Sequence, residues 1–380
     1  MQITRRNFVR NIAAGTAVST GLPAFTGFAF TESVPPSRPA EHAEAIILSR
    51  NENSYGPSQK VIASMKDAVR FANRYPDPAV KALHDRISAS HSIKPEQLVL
   101  GCGSGEILSI CAAAFLGPGK KLITALPTFE AIGRCAKTLG AEVVEVPLAH
   151  DYSHDLEAML ARSDASTGLI YICNPNNPTA SLTQRKDLEA FLRKLPPTIT
   201  VLIDEAYHHY VRKTADYASF IDNPVNDDRV IVARTFSKVF GLAGIRAGYA
   251  VGAPAKMRSL AALRLPEGIN AVAAHAALVA YEDVEYVQFS EKRNADDRQE
   301  FFNQANARML RWIDSHTNFA MLKSGHMAVD VIEHFRKNNI QIARLFPSMH
   351  TYVRVSFGTP PEMKEFWRVW DLMPPGKMEM

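Results

Sequence analysis

Short apolar runs alternate with helical patterns between about residues 95 and 265. The runs predict seven strands, at 97–101, 121–125, 141–147, 168–173, 199–204, 229–234 and 247–252. Between the first of them, three segments carry apolar residues at three- and four-residue spacing, which is typical of amphipathic helices: 105–117, 129–140 and 155–163. This alternation predicts an α/β fold with a mostly parallel central sheet between layers of helices.

The pattern changes in the C-terminal part of the chain. Two long helical segments are followed there by two short strands, at 270–281, 283–311, 317–322 and 351–358. This order is typical of an α+β unit. We therefore predict a large domain at 71–267 and a small domain at 268–380. Residues 31–70 would form an N-terminal arm that packs with the small domain.

Five of the predicted strands end in polar, glycine or aromatic residues. These ends read CGSGE (102–106), LPTFE (126–130), NPNNP (174–178), DEAY (204–207) and TFSK (235–238). Ligands of parallel sheets bind at the carboxyl ends of the strands. The sequence therefore predicts one site that is assembled from most of the large domain.

The last of these strands leads into RTFSKVFGLAGIRAGY (234–249), which contains Lys238. The hydroxyls of Thr235 and Ser237 and the planar guanidinium of Arg246 could hold a phosphate beside that lysine. Backbone N–H groups of residues 104–106, at the start of a predicted helix, could contact the same anion. Gly241 and Gly244 would let the chain turn back toward the lysine. The alternative is an ordinary charged surface loop.

Asp204 ends an apolar strand, so its carboxylate must find a cation or hydrogen-bond donors. Pairing with an arginine would be a structural role. Alternatively, Asp204 faces the protonated ring nitrogen of a cofactor that also carries a phosphate and a phenolic oxygen.

Composition adds little specificity. The chain has 380 residues, 46% of them hydrophobic, and a formal charge of +4, which is too small to indicate nucleic-acid binding. Its four cysteines match no metal-binding spacing, so we predict no metal site.

The N-terminal residues 1–30 contain three arginines and no acidic residue, and residues 4–10 read TRRNFVR. This stretch resembles a twin-arginine signal peptide, which would direct the folded protein to the periplasm or out of the cell. The apolar run that follows is interrupted by Pro23 and diluted by polar residues, so we predict no membrane span. The alternative is a disordered basic N-terminus.

Several motifs occur together in one order: RYPDP, PTFE, NPNNPT, IDEAY, SK followed by arginine eight residues later, and YVRVSFGT. From about Leu48 to Pro361 the chain resembles class I/II aminotransferases of the fold-type I pyridoxal-phosphate family, and in particular histidinol-phosphate aminotransferases. The resemblance implies a homodimeric enzyme that moves an amino group between an L-amino acid and a 2-oxo acid by a ping-pong mechanism.

The resemblance also implies roles for residues around the pyridoxal ring. Lys238 would form the Schiff base and move the substrate's α-proton, while Asp204 would keep the ring nitrogen protonated. Asn177 and Tyr207 would bind the phenolic oxygen, and Phe129 would stack on the ring unless it is a simple core residue.

At the phosphate, the resemblance assigns six positions of one chain: Ser104, Gly105, Glu106, Thr235, Ser237 and Arg246. Tyr75 would reach the phosphate of the neighbouring subunit, or else pack in a turn before Pro76. Arg354, which alternates with buried valines, would bind the substrate's α-carboxylate. Arg344 would contact a distal phosphate or form a surface salt bridge.

Two residues depart from the family pattern, since Ala180 replaces the glycine after NPNNPT and Gly105 replaces an aspartate in the phosphate loop. Two other functions stay open at this stage. One is decarboxylation of a phosphorylated amino acid with the same lysine and aspartate. The other is a cofactor-binding module that has lost catalysis.

Overall fold

A computed structural model of the chain describes residues 45–212, 214–266 and 268–374. Its central feature is a sheet of the seven predicted strands. They are β2 (Leu98–Gly101), β3 (Lys121–Leu126), β4 (Glu142–Pro147), β5 (Thr167–Cys173), β6 (Thr200–Asp204), β7 (Val230–Thr235) and β8 (Gly248–Gly252). The spatial order is β2-β8-β7-β6-β5-β3-β4, and β8 is antiparallel to both neighbours. The predicted, mostly parallel α/β fold is confirmed.

Both faces of this sheet are buried, because successive side chains of each strand point to opposite sides. Ile170 and Ile172 of β5 belong to one apolar cluster, whereas Leu169 and Tyr171 belong to another on the other face. Each face is covered by helices, which explains why the strands read as near-continuous apolar runs.

The helices have the following bounds: α1 Gln59–Ala68, α2 Asp77–Ser90, α3 Gly103–Phe115, α4 Ala131–Thr138, α5 Leu156–Ala161, α6 Arg185–Lys194, α7 Pro254–Ala261, α8 Ala271–Glu282, α9 Val284–Ala307, α10 Ala328–Lys337 and α11 Pro360–Trp370. Helix α9 ends before the predicted residue 311. The reason is local, since Met309 adopts a left-handed φ of 53°, and Arg311–Trp312 then pair as strand β9.

The C-terminal part forms a second sheet and a third apolar cluster. Strand β10 (Phe319–Lys323) lies between β9 and β12 (Tyr352–Ser356), and all pairs are antiparallel. Strands β1 (Ile46–Leu48) and β11 (Ile340–Ile342) pair in parallel beside it. The cluster also includes aromatic residues of α9, α10 and α11.

The contacts around the predicted domain boundaries are mixed. Strand β1 of the N-terminal arm pairs with β11 of the C-terminal part, as the arm prediction expects. Helix α1 instead packs against α8, and Val61 shares its apolar cluster with Ala273 and Ala277. The domain boundaries stay a prediction, and the predicted leader at 1–30 lies outside the described residues.

All four cysteines fall within the described ranges and are free thiols, with Cys111 and Cys173 buried. Among the helices that the structure describes, none is both long enough and apolar enough to cross a membrane.

Strand register brings the predicted site residues to one edge of the central sheet. Cys173 of β5 is paired with Asp204 of β6, which is paired with Ala233 of β7. The segments after these strands, including NPNNP and TFSK, therefore start side by side. The fold thus places the carboxyl ends of three consecutive parallel strands around a common space.

Candidate active site

A cavity of about 670 Å³ lies at this edge of the sheet. Twelve of the sequence-predicted residues line it: Ser104, Gly105, Phe129, Asn177, Asp204, Tyr207, Thr235, Ser237, Lys238, Arg246, Arg344 and Arg354. Arg344 lies at its rim. Residues from six segments that are far apart in the sequence thus face one cavity, as the strand ends predicted.

The carboxylate of Asp204 is almost completely buried. Its Oδ2 accepts a hydrogen bond from the hydroxyl of Tyr171 at 2.8 Å, and its Oδ1 accepts one from the backbone N–H of Ala206 at 3.0 Å. Burial raises the pKa of Asp204 to about 6, although both hydrogen bonds oppose that shift. The site therefore holds a buried carboxylate whose charge calls for a cationic partner in the cavity.

An arginine does not fill that role. The neighbouring Arg234 turns instead to Glu205, whose Oε2 accepts from its Nε at 3.1 Å and from its Nη2 at 3.0 Å. Arg234 also pairs with Asp222 at 3.0 Å. The structural alternative for Asp204, pairing with an arginine, is therefore wrong, and the adjacent glutamate takes that role.

Lys238 is half-buried and points into the cavity. Its Nζ donates to the backbone oxygens of Asn51 at 2.9 Å and Arg50 at 3.4 Å, and it lies 5.4 Å from the ring centroid of Tyr207. Burial lowers the pKa of Lys238 to about 8, and the nearby positive charge of Arg354 acts in the same direction. A neutral amine is therefore more accessible here than at an exposed lysine, as a nucleophile or proton acceptor requires.

Tyr207 and Asn177 line the same cavity but have different partners. The Tyr207 hydroxyl accepts a hydrogen bond from Nδ2 of Asn51 at 3.0 Å, and burial raises the pKa of Tyr207 above its usual value. The Oδ1 of Asn177 accepts from Nη1 of Arg354 at 2.5 Å. That contact orients the amide so that its Nδ2 is the donor on the other side.

Arg354 of β12 is buried without a carboxylate among the described residues. Its Nη2 donates to the backbone oxygen of Ser49 at 2.7 Å, and its buried Nε has no hydrogen-bond partner. Burial lowers the pKa of Arg354 to about 10. A buried guanidinium with an unused donor is suited to bind a carboxylate that arrives from solution.

The other end of the cavity is built to hold an anion. Helix α3 begins there, and its N-cap residue Cys102 makes no side-chain capping bond, so the N–H groups of its first turn remain available. The hydroxyls of Thr235 and Ser237 lie 2.9 Å apart, and Nη1 of Arg246 approaches Ser237 at 3.4 Å. Arg246 forms no ion pair with any described carboxylate. Together these groups offer hydrogen-bond donors and positive charge to an anion, as the sequence prediction of a phosphate site requires.

Close backbone approaches shape this end of the cavity. Gly103 has a φ of 74°, and a Cβ there would lie 2.3 Å from Nη2 of Arg246. Gly241, at φ 69°, would place a Cβ 2.3 Å from the backbone of Gly56, so the turn requires glycine. Gly244 has open space and no left-handed φ, so its predicted role in the turn is wrong. Arg246 itself adopts the left-handed φ, at 68°.

The remaining predicted residues have other surroundings. Phe129 is 38% exposed and lines the cavity, so it is not a core residue. The carboxylate of Glu106 accepts a hydrogen bond from the N–H of Cys102, which precedes the helix, and does not line the cavity. Tyr75 is 78% exposed and also lies outside this chain's cavity. Arg344 forms the surface salt bridge that was its alternative, with Glu130.

Three residues of the site were missed from the sequence. Asn51 contacts both Tyr207 and Lys238, Tyr171 holds Asp204, and Glu130 pairs with Arg344. Only Tyr171 gave a usable signal, because a tyrosine inside an aliphatic strand needs a partner for its hydroxyl.

The sequence pattern described as "Aminotransferase class I and II" matches residues 43–369 of the chain. The chain belongs to this aminotransferase family. It is 33% identical over 341 residues to "Histidinol-phosphate aminotransferase 2" of Carboxydothermus hydrogenoformans. The matched region covers 87% of this chain and 93% of that protein. It is 36% identical to the "Histidinol-phosphate aminotransferase" of Methylobacillus flagellatus, over 85% of this chain and 87% of the relative.

A solved structure of similar fold is "histidinol-phosphate aminotransferase from Sinorhizobium meliloti in complex with pyridoxal-5'-phosphate". The TM-score is 0.80 at 26% identity, over 86% of this aminotransferase and 91% of the neighbour. Enzymes of this family use pyridoxal phosphate, and the chain is a pyridoxal-phosphate-dependent transaminase.

The residues of this aminotransferase fit that cofactor. The uncapped start of α3 and Arg246 match a phosphate, and the buried carboxylate of Asp204 matches a protonated ring nitrogen. The amine of Lys238 lies in the same cavity. Charge complementarity therefore holds at both ends of the cofactor.

The shifted pKa of Lys238 predicts that the cofactor-free aminotransferase is destabilised by its own active site. Below about pH 8 the folded chain holds a half-buried ammonium that the unfolded chain would solvate fully. Replacing Lys238 by methionine keeps most of the side chain and removes the charge. We expect Lys238→Met to raise the free energy of unfolding at neutral pH by roughly 2 kcal/mol, allowing for partial solvent contact.

The gain should shrink as the pH rises from about 8 toward 10.5, because wild-type protein then folds with a neutral amine. Urea denaturation of the cofactor-free proteins across this pH range measures the difference in free energy of unfolding between the variant and wild type. Lys120→Met, at an exposed lysine, is the matched control and should show no gain. A pH-independent gain would contradict the assignment.

Proposed function

We propose that the protein transfers an amino group from an L-amino acid to a 2-oxo acid by a ping-pong mechanism that uses Lys238. One observation carries this proposal. A half-buried amine, a buried carboxylate and a buried guanidinium face one cavity whose other end offers donors and positive charge to an anion. Binding a cofactor alone would need no second arginine for a substrate carboxylate.

The residues around the cavity would divide the work of holding pyridoxal phosphate. Thr235, Ser237, Arg246 and the first turn of α3 would bind the phosphate, and Asp204 would hold the proton on the ring nitrogen. The Nδ2 of Asn177 and the hydroxyl of Tyr207 would donate to the phenolic oxygen. When bound, the cofactor accepts the electron pair that remains after the substrate's α-proton is removed.

Lys238 would both bind the cofactor covalently and move the α-proton. Once an amino acid has taken its place, its Nζ would be free to accept the proton from the substrate's Cα and to hold it in the cavity for return during turnover. A pKa lowered to about 8 supports this role, because the amine is then partly neutral near physiological pH. The backbone oxygens of Asn51 and Arg50 hold the amine toward the cavity.

Arg354 would bind the α-carboxylate of both substrates. Its contacts with Asn177 and Ser49 fix the guanidinium plane, and its Nε remains without a partner. A carboxylate there would bring the substrate's Cα toward Lys238. The same contact with Asn177 links substrate binding to the residue that holds the phenolic oxygen.

The first test is Lys238→Ala. Purified wild-type protein supplied with pyridoxal phosphate should absorb visible light through the lysine-bound cofactor and should convert it to the amine form with an amino acid. The variant should lose the band, and its transamination rate should fall at least about 10³-fold. Lys256→Ala changes a half-buried lysine that does not line the cavity and should retain both. A wild-type protein that stays colourless with added cofactor would refute the proposal.

We propose further that the enzyme is a homodimer in which Tyr75 completes the phosphate site of the partner subunit. Two observations support this. Tyr75 is 78% exposed, and it lies outside its own chain's cavity. Tyrosine is enriched at interfaces, where its ring is buried and its hydroxyl finds a partner, so this exposed side chain is suited to contact a second subunit.

Complementation between two inactive variants tests this arrangement. Tyr75→Ala should weaken both sites of its dimer, and Lys238→Ala should inactivate both of its own. In a mixed dimer, the Tyr75→Ala subunit keeps Lys238 and receives Tyr75 from its partner, so one site is complete. Co-expression should therefore restore activity well above that of either variant alone. Activity equal to the average of the separate variants would argue against a shared site.

We propose that residues 1–30 export the protein by the twin-arginine route. The motif TRRNFVR and the absence of acidic residues in this segment support the proposal. This route carries folded proteins, so the cofactor could be bound in the cytoplasm before export.

Conservative replacement of the arginine pair tests the route. Arg5→Lys combined with Arg6→Lys keeps the charge and changes only the paired guanidinium groups. We expect the variant to remain in the cytoplasmic fraction of a Gram-negative host, with wild-type protein recovered from the periplasm and a cytoplasmic marker as control. Equal distribution of wild type and variant would contradict the proposal.

A further inference from the structure

A bridged ion pair occupies the rim of the active-site cavity. Oε1 of Glu130 lies 2.6 Å from Nη2 of Arg344, and Oε2 of the same carboxylate lies 3.3 Å from Nη1 of Arg134. The three side chains are about half exposed or more. Glu130 follows β3 of the central sheet, whereas Arg344 follows β11 of the two-stranded sheet, and both residues line the cavity.

Arg344 is one of three exposed arginines that line the cavity, with Arg50 and Arg134. A distal anion of a substrate would meet Arg344 there, but Glu130 already pairs with it. The Cζ of Arg344 also lies 4.8 Å from the ring centroid of Phe346, which fixes the side chain on a second side. A substrate with a carboxylate or phosphate on its side chain would have to separate the pair. One whose side chain is uncharged would leave it intact.

A side pocket next to the pair fits an uncharged side chain. It has a volume of about 420 Å³ and shares Thr128, Phe129 and Phe346 with the active-site cavity. Pro127 and Pro347 add apolar surface to it. The charged residues that line this pocket are two acids and two bases: Glu130, Glu145, Arg134 and Lys137. The pocket therefore offers apolar contacts and little net charge to a side chain that enters it.

We infer that Glu130 is a specificity-determining residue, which acts as an internal anion on Arg344 and favours amino acids with uncharged, largely apolar side chains over those with a second anionic group. This inference rests on the proposed function, because it concerns the substrates of that site. Selectivity would then come from repulsion as well as from attraction. The side pocket attracts an apolar side chain, whereas a second anion meets an arginine that is already neutralised and a carboxylate that repels it.

The charge-neutral variant Glu130→Gln tests the inference in the holoenzyme. The rate of conversion of the cofactor to its amine form is measured with L-phenylalanine and with L-glutamate. We expect wild type to prefer phenylalanine, and the variant to raise kcat/KM for glutamate about 5-fold relative to phenylalanine, the upper range for an exposed ion pair. An unchanged ratio, or a wild-type preference for glutamate, would overturn the inference.

Two controls separate the pair from general charge effects. Glu142→Gln removes the same charge from an exposed residue at the opposite end of β4 from the cavity and should leave the ratio unchanged. In an Arg344→Gln background, Glu130→Gln should raise the relative rate with glutamate less than about 2-fold. An equal gain in both backgrounds would show that Glu130 does not act through Arg344.

Ligand binding separates this inference from the proposed function. Unreactive maleate and 3-phenylpropionate carry two carboxylates and one, and calorimetry measures their affinities for the holoenzyme without turnover. Glu130→Gln should tighten maleate about 5-fold and leave 3-phenylpropionate unchanged. If no amino acid reacts, the proposed function fails, and this affinity ratio still decides the role of Glu130. Equal changes for both ligands would overturn it.

Discussion

The site depends on keeping charged groups in a largely buried cavity without letting them neutralise one another. Asp204 and Lys238 line the same cavity but form no ion pair within the described chain; instead the carboxylate binds Tyr171 and Ala206, and the amine binds backbone oxygens. Burial raises the pKa of Asp204 and lowers the pKa of Lys238, and both shifts favour the neutral form of the group. That arrangement costs stability, and the two apolar clusters on either side of the sheet offset it by holding the strand ends in place.

Three arginines in or near the site show how the partners of a guanidinium decide what it can do. Arg234 is saturated by Glu205 and Asp222 and stiffens the framework below the cavity. Arg354 is buried with an unused donor and can accept a substrate carboxylate. Arg344 is exposed and paired with an acid that a ligand can displace. The residue type is the same, but the partners differ: Arg234 has a structural role, Arg354 has a donor left for a ligand, and Arg344 has a partner that a ligand can displace.

The sequence was sufficient for the strands and for most of the cavity, because apolar periodicity and the position of polar residues at strand ends are local signals. The sequence was insufficient for side-chain contacts between segments that are far apart in the chain. Nothing near Asn51 indicates its bond to Tyr207, and nothing near Glu130 indicates Arg344, since both contacts depend on how separate units of the fold meet. The early end of α9 had a local cause, the left-handed backbone of Met309, but no glycine marked it. Gly244 misled for the opposite reason, as a glycine that no turn requires.

The antiparallel insertion of β8 beside β7 has a consequence for how such an enzyme can change over evolutionary time. Thr235 is paired with Gly248, so the intervening residues 236–247 form one connection that carries both Lys238 and Arg246. An insertion there would change the spacing between the amine of Lys238 and the guanidinium of Arg246, both of which line the cavity. Glu130 and Arg344 lie on two other connections, after β3 and β11, so substitution there leaves that spacing unchanged. If the proposed roles hold, substrate preference can change through these connections while the residues proposed for catalysis stay in place on another.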